Sequence, residues 1–176
     1  MMNRKNFLSS LFPLAAGFSG MLSTSPPFDP ELTYLAPPYL KPGDTIGITS
    51  PAGFTLIEDI QSSINKLQEW GFNVAIGNTI GKRTFTFGGT DAERLAELQQ
   101  MMDDKNIKAI LCARGGYGSI RFIDQLNLTT FKKHPKWIIG FSDVTVLHSH
   151  INSNTHIASI HSKMCNSFPV NWNMAE

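Results

Sequence analysis

The stretch Ile138-Ile139-Gly140-Phe141-Ser142-Asp143-Val144-Thr145 decides how the rest of the chain is read. An apolar run reaches a glycine, a serine follows two residues on, and an amphipathic helical pattern starts at once with Asp143 in its first turn. That layout fits a nucleophile elbow, a sharp strand-to-helix turn that lifts a hydroxyl above the sheet edge and aims the amides of the new helix beside it. It fits equally an ordinary strand-helix junction with Ser142 as N-cap.

A second stretch bears on the choice. Lys108-Ala109-Ile110-Leu111-Cys112-Ala113 reads as a strand and runs into Arg114-Gly115-Gly116-Tyr117-Gly118-Ser119, a turn whose glycines permit close approaches that a side chain would block. If the two strands are neighbours in one parallel sheet, their loops meet at the same edge. The glycine-loop amides then complete an oxyanion site for a carbonyl attacked by Ser142. Arg114 leads this loop and admits two roles: pairing with a carboxylate such as Asp143 or Asp124, or holding a substrate's terminal carboxylate in its guanidinium fork. Tyr117 is read as pocket wall.

Outward from these two stretches the chain alternates strands and helices. The turn Lys41-Pro42-Gly43-Asp44 launches a strand at Thr45-Ile46-Gly47-Ile48-Thr49, closed by Ser50-Pro51-Ala52-Gly53. Ile57, Ile60, Ile64 and Leu67, with Trp70, mark a helix ending at Gly71, and Asn73-Val74-Ala75-Ile76 is a second strand. Residues 77–89 are a polar, glycine-bearing connection with aromatics Phe85 and Phe87, of a length more often functional or mobile than filler. Thr90-Asp91-Ala92-Glu93 has the form of a capping box ahead of a helix carrying Leu95, Leu98, Met101 and Met102. After the glycine loop, a short helix with Ile120, Ile123 and Leu126 is expected, then a helical piece near 129–133 and a break at His134-Pro135. The helix after the elbow buries Val144, Leu147 and Ile151, and Ile157-Ala158-Ser159-Ile160 suggests a last strand. Nearly continuous apolar strands alternating with helices predict a parallel sheet covered on both faces.

Composition narrows the function. The 176 residues carry a formal charge of +1 and no basic stripe interleaved with aromatics, so nucleic acid is not an expected partner. Cys112 and Cys165 lie far apart with no second pair for a zinc site, and read as unpaired buried thiols. At the N-terminus, Arg4 and Lys5 precede a short apolar segment broken by Pro13. This reads as an export signal over residues 1–24, leading to a periplasm, or to the cytoplasm if the segment is no signal. Residues 25–42, rich in Ser and Pro, form a linker.

Taken together, four blocks resemble the LD-carboxypeptidases, the serine peptidases also called the muramoyltetrapeptide carboxypeptidase family. They are Lys41-Pro42-Gly43-Asp44 with Ser50-Pro51-Ala52-Gly53, then 87–94 (Phe-Gly-Gly-Thr-Asp-Ala-Glu-Arg), 114–118 (Arg-Gly-Gly-Tyr-Gly) and 140–145 (Gly-Phe-Ser-Asp-Val-Thr). The resemblance implies a flavodoxin-like, doubly wound α/β domain over residues 43–164, three layers deep, followed by a smaller C-terminal domain. It also implies a Ser-Glu-His triad that cleaves between an L- and a D-configured residue, releasing terminal D-alanine from peptidoglycan tetrapeptides. Carried onto this chain, Ser142 is the nucleophile, and the amides of Asp143 and of Gly115 or Gly116 are the oxyanion donors. The family's glutamate and histidine belong to the C-terminal domain, and residues 165–176 read as the start of a truncated interdomain segment. The expectation is an N-terminal, inactive portion of a longer enzyme, since a serine without its base loses on the order of 10⁴-fold or more in rate.

The local histidines do not replace that base. His148 and His150 fall too far along their helix to reach back to Ser142. His161 emerges at the same sheet edge and is read as a pocket-wall candidate. No metal or cofactor is expected. The expected partners are a peptidoglycan-derived peptide and the missing C-terminal domain, with a homodimer left open. The competing reading is a non-catalytic α/β module that binds a small anion at the glycine loop.

Overall fold

The computed structural model describes residues 33–168. The expected export signal and the last eight residues, 169–176, lie outside the described residues. Five strands form one parallel sheet: β1 (Thr45–Thr49), β2 (Asn73–Ile76), β3 (Ile107–Cys112), β4 (Trp137–Gly140) and β5 (Ile160–His161). Their spatial order is β2-β1-β3-β4-β5. That is the flavodoxin-like doubly wound order, with the chain reversing its direction of travel between β1 and β3.

Side-chain alternation assigns each strand to two cores. Ile110 and Ile138 face one cluster, with Leu98, Met102, Leu147 and Ile151. Their neighbours Ala109, Leu111 and Ile139 face the other, with Ile46, Ile48, Ile60, Ile64 and Leu67. The first cluster is built by α2 (Asp91–Asp103), α3 (Thr129–Lys133) and α4 (Val144–Thr155), the second by α1 (Ile57–Glu69). Burying each large aliphatic side chain contributes about 1.5–3 kcal/mol before chain entropy is subtracted, so a sheet covered on both faces is what these strands can stabilise. The sheet therefore sits in three layers.

The capping box forms as its spacing predicts. Thr90 Oγ1 accepts from the Glu93 amide at 3.2 Å, and Glu93 Oε2 accepts from the Thr90 amide at 2.9 Å. Two expectations are corrected. In place of one short helix over Ile120, Ile123 and Leu126 there are two 3₁₀ turns, Ser119–Arg121 and Ile123–Gln125, broken at Phe122 with φ −133°. The last strand is confined to Ile160–His161, while Ile157 makes a lone parallel bridge with Leu35. The cause lies in α4, which ends at His156 in the left-handed conformation, φ 55°, so the chain needs several residues to turn back into the sheet.

Candidate functional site

β4 ends at Gly140, and only three residues separate it from the start of α4 at Val144. The Phe141 carbonyl accepts from the Val144 amide at 3.2 Å and the Ser142 carbonyl from the Thr145 amide at 2.9 Å. Between them Ser142 takes φ 61°, a left-handed conformation that an L-residue with a side chain adopts at a cost of about 1–2 kcal/mol. This rules out the plain N-cap reading. Asp143, not Ser142, stands at the cap position in helical conformation, and no side chain caps the helix there. The Asp143 Oδ2 instead accepts from the Ser119 amide at 2.9 Å, tying the elbow to the far end of the glycine loop.

Ser142 is exposed and lies directly against that loop. A methyl group added at Gly115 would stand 2.9 Å from the Ser142 Cβ and 3.1 Å from its Oγ, closer than real side chains pack, so glycine is required here. Gly116 follows at φ 111°. Among the described residues, the amides of Gly115, Gly116 and Asp143 donate to no backbone acceptor. Three sequence-predicted residues, Ser142, Gly115 and Asp143, are thus brought together at one rim, with Gly116 next in the loop. No carboxylate or imidazole hydrogen-bonds to the Ser142 hydroxyl among the described residues.

The loop after β1 completes the rim through main-chain bonds. The Gly53 amide donates to the Gly115 carbonyl at 2.9 Å, Phe54 to Thr86 at 2.9 Å, and Gly88 to Ala52 at 3.0 Å. A cavity of about 230 Å³ opens over this junction, lined by Gly53, Phe54 and the residues of the glycine loop with Arg114 and Tyr117. Ser142 does not line it; the two adjoin across Gly115. Arg114 pairs with neither Asp143 nor Asp124. Its Nη1 donates to the Phe54 carbonyl at 3.0 Å, because the loop carries it toward β1 and away from α4.

The histidines separate by role. His161 is exposed, its ring 6.3 Å from that of Phe141 and 6.1 Å from that of His148. His148 is buried, and its Nε2 lies 2.9 Å from the Gly140 carbonyl, which also accepts from the Ser162 amide at 3.1 Å. A carbonyl only accepts, so Nε2 carries the proton and Nδ1 is bare, without a partner among the described residues. Burial pushes this imidazole below its usual pKa and keeps it neutral. It braces the elbow from beneath.

The sequence reading missed two groups. Arg94 is fully buried, donates to the Pro51 carbonyl and to Asp91, and lies between the rings of Phe87 and Phe122. The i,i+3 spacing of Asp91 and Arg94 on a helix was the available signal. Arg83 and Phe85, on the long connection after β2, line the same cavity as Arg114. No periodicity marks them. Among the described residues, no three His, Cys, Asp or Glu side chains converge as metal ligands would.

The architecture is that of a doubly wound α/β protein with a serine elbow and a glycine loop facing each other at the carboxyl edge of the sheet. The family model of the LD-carboxypeptidase N-terminal domain matches residues 46–162, and the chain belongs to that family. It is 36% identical over 128 residues to the "Probable murein peptide carboxypeptidase" of Bacillus subtilis (strain 168), covering 73% of this chain and 40% of the relative. Among solved structures, an MccF-like protein from Bacillus anthracis str. Ames superposes with a TM-score of 0.70 at 28% identity, over 76% of this chain and 41% of that one. MccF in complex with glutamyl sulfamoyl guanosine gives 0.66 at 29% identity, over 72% and 38%. The chain spans about 40% of the length of the curated relative it matches.

Proposed function

We propose that this chain is the nucleophile-bearing part of a serine carboxypeptidase that hydrolyses an L,D-peptide bond in murein peptides, releasing a terminal D-alanine. The carrying observation is Ser142 itself: exposed, held at φ 61°, and packed against Gly115 beside amides that donate to no backbone acceptor among the described residues. In this reading Ser142 Oγ attacks the scissile carbonyl carbon and its proton passes to a base. The carbonyl oxygen becomes an oxyanion held by the amides of Asp143 and of Gly116 or Gly115, and the amine of the D-residue leaves with a proton. Water then cleaves the acyl-serine. Arg114, Tyr117 and His161 stand around the substrate.

The base belongs to the glutamate and histidine that the family resemblance assigns to a C-terminal domain. More than half of the length of the matched relative lies beyond the aligned part, which leaves room for such a domain. Export to the periplasm accords with the N-terminal sequence pattern. The murein name of the Bacillus subtilis relative supports the substrate class.

A fluorophosphonate probe tests the reading on an extended form, this chain joined to the part of the Bacillus subtilis relative that it does not match. Labelling that is abolished by Ser142→Ala is the expected result. Absence of labelling in the extended form overturns the peptidase reading and leaves an anion-binding module.

A further inference from the structure

We infer that Arg83 and Arg114 form one carboxylate-binding subsite, on the leaving-group side of Ser142, that takes the free C-terminus of the peptide and so confines cleavage to the last bond. The inference deepens the proposed function and rests on it for the position of the scissile bond, but the binding site is argued from its own geometry.

Both guanidiniums are mounted on Phe54. Arg114 Nη1 donates to the Phe54 carbonyl at 3.0 Å, and the Arg83 guanidinium lies over the Phe54 ring, 5.2 Å from its centroid. Each is pinned by a single N–H to the main chain, Arg83 through Nε to the Phe85 carbonyl at 2.9 Å. A guanidinium has five N–H donors, so most remain for a ligand. Arg94 and Arg121 share Asp91, and Lys82 next door is matched with Glu93, whereas Arg83 and Arg114 have no carboxylate partner among the described residues.

Arg83 stands at the base of a tight hairpin: Thr84 and Phe87 exchange both main-chain hydrogen bonds, at 3.1 and 3.0 Å, and Phe85 takes the φ of 56° that such two-residue turns use. The turn presents the Phe85 carbonyl to Arg83 Nε. One cavity of about 230 Å³ has both arginines in its lining together with Gly53, Gly115 and Gly116, and Gly115 adjoins Ser142. Two guanidinium forks on one small, glycine-bearing cavity suit the planar, two-oxygen geometry of a carboxylate.

The test is calorimetric titration of the 176-residue chain with acetyl-L-alanyl-D-alanine and with its C-terminal amide. The acid is expected to bind about tenfold or more tightly than the amide, and Arg83→Gln and Arg114→Gln are each expected to remove most of that preference. Arg83→Lys, which keeps the charge and loses the fork, should retain part of it, and added salt should weaken the acid alone. If Arg83→Gln fails to fold, the Arg83→Lys and salt series decide the matter. Equal binding of acid and amide, no binding of the acid at about 10 mM, or a preference untouched by the Arg83 variants overturns the subsite. Failure of the fluorophosphonate label overturns the peptidase reading while leaving an observed carboxylate preference standing, so the two failures are told apart.

Discussion

At the residue scale, the elbow is held in place by crowding as much as by bonds. Ser142 keeps its left-handed backbone because α4 starts two residues later and Gly115 closes the other side. Ser142→Gly is therefore expected to raise the unfolding free energy, by up to about 1 kcal/mol after glycine's greater unfolded-state freedom is subtracted, as read from urea melts. Gly115→Ala should do the reverse. A methyl group at that position overlaps the serine, and destabilisation of about 1–3 kcal/mol with loss of fluorophosphonate labelling in the extended form is the expected result. An unchanged melt and unchanged labelling would mean that the two loops are not in contact. The Gly-x-Ser-Asp pattern placed a strand-to-helix junction here, because a strand-like run, a glycine and a helical period follow in immediate succession, but it fitted an elbow and a plain N-cap alike, and the φ of Ser142 decides between them. Arg83 and Phe85 were not findable in that way: in Lys82-Arg83-Thr84-Phe85-Thr86-Phe87 nothing distinguishes the residue that turns left-handed from its neighbours.

At the level of single elements, α2 shows how directly spacing becomes structure, and what that implies for acid. Glu93 is held down to about pKa 2, first by Lys82 and then by the Thr90 amide and hydroxyl. A carboxylate whose pKa is lowered on folding stabilises the fold fully above its unfolded value of 4.5, and that contribution is lost as pH falls from there toward 2. Wild-type protein is expected to lose stability more steeply across this window than Glu93→Gln, measured as denaturant midpoints at successive pH values, with the two slopes equal above it. Parallel slopes throughout would show that the cap is not formed. Where the reading erred, between Gly118 and Asn127, spacing was ambiguous for a physical reason. Ile120, Ile123 and Leu126 recur every three residues, which matches three residues per turn of a 3₁₀ helix as well as one face of an α-helix, and only Ile123 and Leu126 are buried. β5 was misplaced because Ile157 is apolar for the core that holds Leu147 and Ile151, while its main chain bridges to Leu35, a partner distant in sequence that no local pattern reveals.

For the molecule as a whole, the two thiols report on whether the chain opens in one step. Burial pushes the Cys165 thiol up to about 12 and raises that of Cys112 further, and both side chains are fully inaccessible. Cys112 ends β3 in the sheet. Cys165 lies on the last described turn, held by Ser63 Oγ donating to its carbonyl at 2.7 Å and by the Asn166 amide donating to Ala113 at 3.2 Å. A neutral disulfide reagent is expected to modify neither in native buffer over minutes and both together, at one rate, as urea is raised. Earlier reaction of Cys165 alone would show that residues 164–168 peel from α1 before the sheet gives way. The connections following β1, β2 and β3 clasp one another by peptide groups, at Gly53 to Gly115, Phe54 to Thr86 and Gly88 to Ala52, with Arg94 and Arg114 adding side-chain bonds to the Pro51 and Phe54 carbonyls. Replacing Tyr117 would leave every one of those main-chain ties in place, so the chemistry of the mouth can be altered without displacing the serine hydroxyl at its edge.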